Sequence, residues 1–160
     1  MKKFISIIML LCISSVALAD EKILTAKSPE HRVSLLELYT SEGCSSCPPA
    51  DRFLSGLEKS GLTNKQLIPL AFHVTYWDYI GWKDPFAAII NDDRQRAIAK
   101  VNRSRSIYTP QFVFNGADYR QRNSLNENIQ KINQQKAAVD LVLDVEKIEQ
   151  SINVYFKTDS

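Results

Sequence analysis

Two cysteines separated by two serines, Cys44-Ser45-Ser46-Cys47, are the residues of this chain best suited to chemistry. They lie where an apolar run, Val33 to Tyr39, gives way to a helical pattern, Pro48 to Lys59. A strand that delivers thiols to the start of a helix makes cysteine reactive. The macrodipole and the unpaired backbone N–H groups there stabilise a thiolate, lowering its pKa below the free value of ~8.5. Such a pair is a redox centre, a structural clip or part of a metal site. A clip closing so short a loop removes little entropy from the unfolded chain, which weighs against a purely structural role. Soft thiolates select Cu(I), and His73 is a candidate third ligand, but no cluster of methionines accompanies them.

Other side chains join the pair as candidates. Glu37 stands in Leu35-Leu36-Glu37-Leu38-Tyr39, a run otherwise suited to a buried strand. Desolvation there would raise its pKa and let it carry the proton of Cys47; the alternative is a carboxylate that faces solvent or pairs with an arginine. His73, Tyr76, Trp77 and Asp78 follow a second apolar run. They either flank Cys44 and line a substrate groove with Tyr108 and Trp82, or pack a helix onto the fold, with His73 a satisfied, half-buried histidine. His31 has no context that singles it out.

The chain has 160 residues, with 20 Lys+Arg against 18 Asp+Glu. Residues 1–19 read as an export signal: Lys2-Lys3, an apolar stretch Phe4 to Val16, and Ala17-Leu18-Ala19 as the cleavage site. The stretch is shorter than the ~20 residues that span a bilayer, and nothing later would anchor the chain. Cleavage near Ala19 removes two lysines and Cys12, so the mature charge is zero and Cys44 and Cys47 become the only cysteines. Zero charge argues against nucleic-acid or anionic-membrane binding. The expected location is the periplasm or outside the cell, where disulfides persist.

The elements that must position these residues follow from periodicity. Residues 21–30 are polar and read as a loose arm, then His31 to Tyr39 as a strand. Ala50, Phe53, Leu54 and Leu57 mark a helix that Gly61 closes. Gln66 to Val74 is strand-like, with Pro69 implying an edge position or a bulge. Asp84-Pro85 opens a helix as N-cap and N1, with Phe86, Ile89, Ile90, Ala97, Ile98 and Val101 on its inner face. Thr109-Pro110 leads into Gln111 to Phe114, and Asn115-Gly116 turns a hairpin into Ala117 to Arg120. Ser124 and Glu127 form a capping box for a helix ending near Lys136. Val139 to Val145 and Ile152 to Phe156 alternate as a final hairpin.

The pattern predicts an α/β fold: a mixed sheet flanked by helices, with an inserted helix and a C-terminal hairpin. It divides the chain into a signal peptide at 1–19, a domain at 31–137 and a hairpin at 138–160. The cysteine pair at a strand–helix junction, with Thr-Pro before a later strand, resembles the thioredoxin-like superfamily. LYTSEGCSSCPPAD, AFHVTYWDYIGWKDPFA and YTPQFVFNG resemble a family of exported bacterial proteins of unknown function, DUF1223. Its members are usually longer, so the resemblance implies that residues 138–160 open an incomplete β-rich part.

The thioredoxin-like resemblance implies further roles. Cys44, nearer to solvent, would be the nucleophile, and Cys47 would resolve the mixed disulfide. Thr109-Pro110 would be a cis-proline loop facing the pair and holding an extended substrate. The reaction would be thiol–disulfide exchange, with no cofactor beyond the dithiol. The partners would be a thiol or disulfide protein or peptide and a redox partner. The other readings are a soft-metal carrier, or a binding module whose disulfide is structural.

Overall fold

The computed structural model describes residues 24–148 and 151–159, so the proposed signal at 1–19 lies outside the described residues. Among them the chain forms two compact units, Ser28–Asp140 and a smaller one from residues 24–27 and Leu141–Lys157.

The larger unit is built on β2 (Ser34–Thr40), whose residues are nearly all buried. It pairs in parallel with β3 (Leu67–His73) and antiparallel with β4 (Gln111–Phe114), so both its edges are bonded, and separate clusters of side chains cover its two faces. That explains an apolar run without clean alternation. Pro69 lies in β3, which is the edge of the order β3-β2-β4-β5, where a missing donor costs the sheet nothing. Asn115 and Gly116, at φ 48° and 84°, make the turn from β4 into β5 (Ala117–Asp118). Two left-handed central residues make the type I′ geometry, whose backbone twist matches that of the flanking strands.

Side-chain parity separates the two faces of β2. Leu36 and Leu38 point to one face and pack with Ala50, Leu54 and Leu57 of the following helical segment and with Leu125 and Ile129. Helix α1 (Pro48–Gly56) continues as a 3₁₀ turn to Ser60, and Gly61 ends it at φ 81°. Leu125 and Ile129 belong to α3 (Leu125–Asn133). Tyr39 points to the other face with Val74 and Val113, against Phe72, Trp77 and Ile98. Ile98 lies on α2 (Ile89–Val101), so α1 and α3 cover one side of the sheet and α2 the other.

Several expected boundaries move. Helix α2 starts at Ile89, because Ala88 is extended and the Asp84 carboxylate is engaged elsewhere. Phe86, Ile89, Ile90 and Val101 are exposed; the buried face of α2 is instead Asp92, Gln95 and Ala99. Ser124 makes no capping bond. Its hydroxyl donates to Gln121 O within a 3₁₀ turn that precedes α3. Residues 24–27 are not a loose arm but strand β1 (Leu24–Lys27), paired antiparallel with β6 (Asp140–Ile148). With β7 (Ser151–Asp159) they form the smaller unit's sheet, ordered β1-β6-β7. Thr25 Oγ1 and Lys157 Nζ both donate to Asp144 there, at 2.7 and 3.0 Å.

Candidate functional site

Cys44 and Cys47 form a disulfide, with Cα atoms 5.4 Å apart, at the start of α1. The turn is held from within: Cys44 N–H donates to Ser41 O at 3.0 Å and Cys47 N–H to Cys44 O at 3.1 Å. Cys47 is the N-cap, Pro48 and Pro49 fill the first two helical positions, and the Ala50 and Asp51 amides both donate to Cys47 O. The first helical amides are therefore absent or already committed. This corrects the expectation of unpaired N–H groups ready for a thiolate. Ser46 Oγ lies 3.6 Å from Cys44 Sγ, and since a disulfide sulfur has no proton the hydroxyl is the donor.

Both sulfur-bearing residues are buried: Cys44 is 2% exposed and Cys47 0%, while Ser45 and Ser46 between them are exposed. The 3₁₀ segment Thr75–Ile80 packs against Gly43, the residue just before Cys44. A Cβ added at Gly43 would lie 3.1 Å from Ile80 Cδ1 and 3.3 Å from Trp77 Cβ, so a larger residue there would press on this segment. The Trp77 indole N–H donates to Thr109 Oγ1 at 2.7 Å, and the Thr109–Pro110 peptide is cis. Trp77 thus ties the loop before Cys44 to the Thr109–Pro110 loop.

Helix α2 fixes that arrangement through its polar buried face. The Asp92 carboxylate accepts both the amide and the hydroxyl of Thr75, at 2.8 and 2.7 Å. Gln95 accepts from Tyr76 OH and donates to Tyr108 O and Gln111 Oε1, at 3.2, 2.9 and 2.7 Å. Tyr108 OH donates to Asp118 at 2.7 Å. Burial first, then this bond to Asp118, pushes the Tyr108 phenol up. Burial would push Asp118 up too, but bonds from Gln111, Tyr108 and Arg120 outweigh it and hold the carboxyl below its ordinary value.

Asp84 is a hub that the sequence presented as a helix cap. Its side chain is fully buried and accepts from Glu42 N–H (2.9 Å), Phe86 N–H (2.9 Å) and His73 Nδ1 (2.6 Å). Burial would raise its pKa, but these three bonds together lower it, so Asp84 is a carboxylate and the His73 Nδ1 carries the proton. Asp78 accepts from Asp84 N–H at 3.3 Å. His73 and Asp78 therefore brace the loop two residues before Cys44.

Glu37 is 1% exposed and shares the α2 face with Tyr39, whereas α1 packs on the opposite face against Leu36 and Leu38. Arg94 on α2 binds its Oε1 through Nε, at 2.8 Å, and through a second guanidinium nitrogen; Oε2 is buried without a partner among the described residues. Of the two readings of Glu37, the arginine pair is the one present, and a proton shuttle to Cys47 is corrected by side-chain parity. Burial first and then the Glu37 charge push the Tyr39 phenol up to about 12, with Arg94 opposing.

A groove of ≈ 250 Å³ opens beside the disulfide, walled by Ser46, Pro49, Tyr108, Pro110, Arg120 and Arg122. The structure so brings together Cys44, Cys47, Trp77, Thr109, Pro110 and Tyr108. His73 and Asp78 support from behind, and Glu37 belongs elsewhere. The sequence offered Asp84 only as a helix cap and did not single out Asp92, Gln95, Arg94 or Arg122; polar residues three apart on α2 look like a solvated face. No group of three or more His, Cys, Asp or Glu that could hold a metal occurs among the described residues, and His73 Nδ1 is committed to Asp84. No helix among them is long and apolar enough to cross a membrane.

Residues 35–160 match the family described as "Protein of unknown function (DUF1223)". The chain belongs to that family. It is also similar to a solved structure, the X-ray crystal structure of protein AGR_C_4864 from Agrobacterium tumefaciens, at 25% identity and a TM-score of 0.53. That likeness covers 78% of this chain and 71% of the other. No curated protein matches.

Proposed function

We propose that this DUF1223 protein is an exported, thioredoxin-like protein that exchanges disulfides through Cys44 and Cys47. The observation that carries the reading is a disulfide at a helix start tied by Trp77 to the cis Thr109–Pro110 loop. In the reduced form the Cys44 thiolate attacks a substrate disulfide and expels one thiolate. Cys47 then attacks Cys44 Sγ, re-forming the internal disulfide and releasing the second thiolate. The protein gives up two electrons and the substrate takes them. The exposed Ser45-Ser46 side offers the approach to the buried sulfurs.

Insulin reduction and thiol oxidation test this directly. Cys44→Ser is expected to abolish both, and Cys47→Ser to accumulate mixed disulfides visible by non-reducing electrophoresis. Equal rates for wild type and Cys44→Ser would rule it out.

The burial of both sulfurs favours a second reading, a binding module whose disulfide is inert. A reduction potential below about −300 mV, together with no labelling of the native protein by thiol reagents after mild reduction, selects it.

A further inference from the structure

The groove beside Ser46 carries an unbalanced charge. Arg120 is paired with Asp118 at 2.9 Å and lies over the Tyr108 ring. Arg122 has no carboxylate partner among the described residues; its guanidinium carbon stands 5.5 and 5.8 Å from the ring centroids of Phe53 and Phe112. A cation–π contact does not use up N–H donors as a bond to oxygen would, so the Arg122 guanidinium keeps its fork of donors for an oxygen ligand, the geometry that suits a carboxylate. One net positive charge therefore borders a cleft whose walls include Ser46, Pro49, Pro110, Tyr108 and Tyr119.

Position and size narrow the occupant. Ser46 forms one wall and its hydroxyl is 3.6 Å from Cys44 Sγ, so a molecule in the groove lies alongside the disulfide. A volume of ≈ 250 Å³ is below the ~300–1,000 Å³ of pockets for drug-sized ligands, and suits a group of one or two residues. We infer that this groove is a subsite for a small thiol or disulfide that bears a carboxylate, with Arg122 as the anchor of that carboxylate. The inference rests on the exchange reading above and names its substrate class. The reaction balances as before: the dithiol loses two electrons, the small disulfide gains two, and two small thiols leave.

The test uses the reduced protein and three disulfides: oxidised glutathione, which carries carboxylates, neutral 2-hydroxyethyl disulfide and cationic cystamine. Wild type is expected to react roughly tenfold faster with oxidised glutathione than with cystamine, the size of effect one charge-assisted bond gives. Arg122→Gln should remove most of that preference while leaving the hydroxyethyl disulfide rate within about twofold, and Arg122→Lys should keep part of it. A preference unchanged in Arg122→Gln, or equal slowing with all three disulfides, overturns the subsite.

Binding of unreactive S-methylglutathione, followed through the NMR amide signals of Ser46 and Tyr119, reads the groove apart from the chemistry. Millimolar binding weakened in Arg122→Gln supports the subsite even if no exchange occurs, in which case the exchange reading alone fails. No binding to wild type overturns the subsite while leaving exchange with larger substrates standing.

Discussion

The two faces of β2 are built on opposite principles. Toward α1 and α3 it presents Leu36 and Leu38 to an apolar core. Toward α2 it presents Glu37 and Tyr39, and α2 answers with Arg94 while Asp92 and Gln95 reach into the loops beyond. The first face is cemented by area removed from water, which has no direction. The second adds to a smaller apolar cluster around Tyr39 a set of hydrogen bonds, which do have direction. The apolar face holds α1 against the sheet, whereas the polar face places Trp77, Tyr108 and Thr109 around the disulfide that α1 carries.

That contrast is sharpened by substitutions on each face. The largest effect is expected from Leu38→Ala, fully buried in the apolar core, at about 2–5 kcal/mol of unfolding free energy in urea, with little specific effect on the loops. A loss under about 1 kcal/mol would mean the core relaxes around the hole and the face is less tightly packed than described.

On the other face, Arg94→Met strands the buried Glu37 carboxylate. Arg94 is 46% exposed, so solvent tempers the cost to about 1–3 kcal/mol. Adding Glu37→Leu should recover most of the loss, because an apolar pair of similar volume replaces a buried ion pair at little cost. If the double variant is no better than Arg94→Met, the pair also holds α2 in place through contacts beyond its charge.

Asp84→Asn is the smallest and the most specific, about 1–2 kcal/mol at neutral pH. The folded Asp84 carboxyl titrates below its ordinary value, so its stabilisation is fully present above the unfolded carboxylate pKa of ~3.9. It is lost as pH falls through the lower folded value. The stability gap between wild type and Asp84→Asn should therefore narrow as pH falls below about 4, as read by thermal unfolding of both proteins across acid pH. A gap that widens on acidification would show that Asp84 is not held as a carboxylate.

Much of the fold was legible because the signals were local. The Leu35–Tyr39 run, Pro69 at an edge and Asn115-Gly116 at a turn each state their conformation through their own covalent chemistry. The site was legible where residues carry reactive atoms or resemble a known pattern, as Cys44, Cys47 and Thr109-Pro110 do. What stayed hidden was tertiary. Asp84 reads as an N-cap until the Glu42 amide and His73 claim its carboxylate, which delays α2 to Ile89. Gln95 and Asp92 read as solvated because their partners, Tyr108 and Thr75, are distant along the chain. The apolar residues Phe86, Ile89 and Ile90 misled in the opposite sense, since a helix can bury its polar side when that side has partners.

The proline doublet that opens α1 bears on the electron balance of the sulfur couple. On reduction, Cys44 finds a Ser46 hydroxyl close by, while Pro48 and Pro49 have no amide to lend and the Ala50 and Asp51 amides are spent on Cys47 O. Couples become strong oxidants when their reduced state is well accommodated. If the proposed exchange operates, a helix mouth with so little to offer an anion would tilt the couple the other way, toward keeping its bond and surrendering electrons once opened.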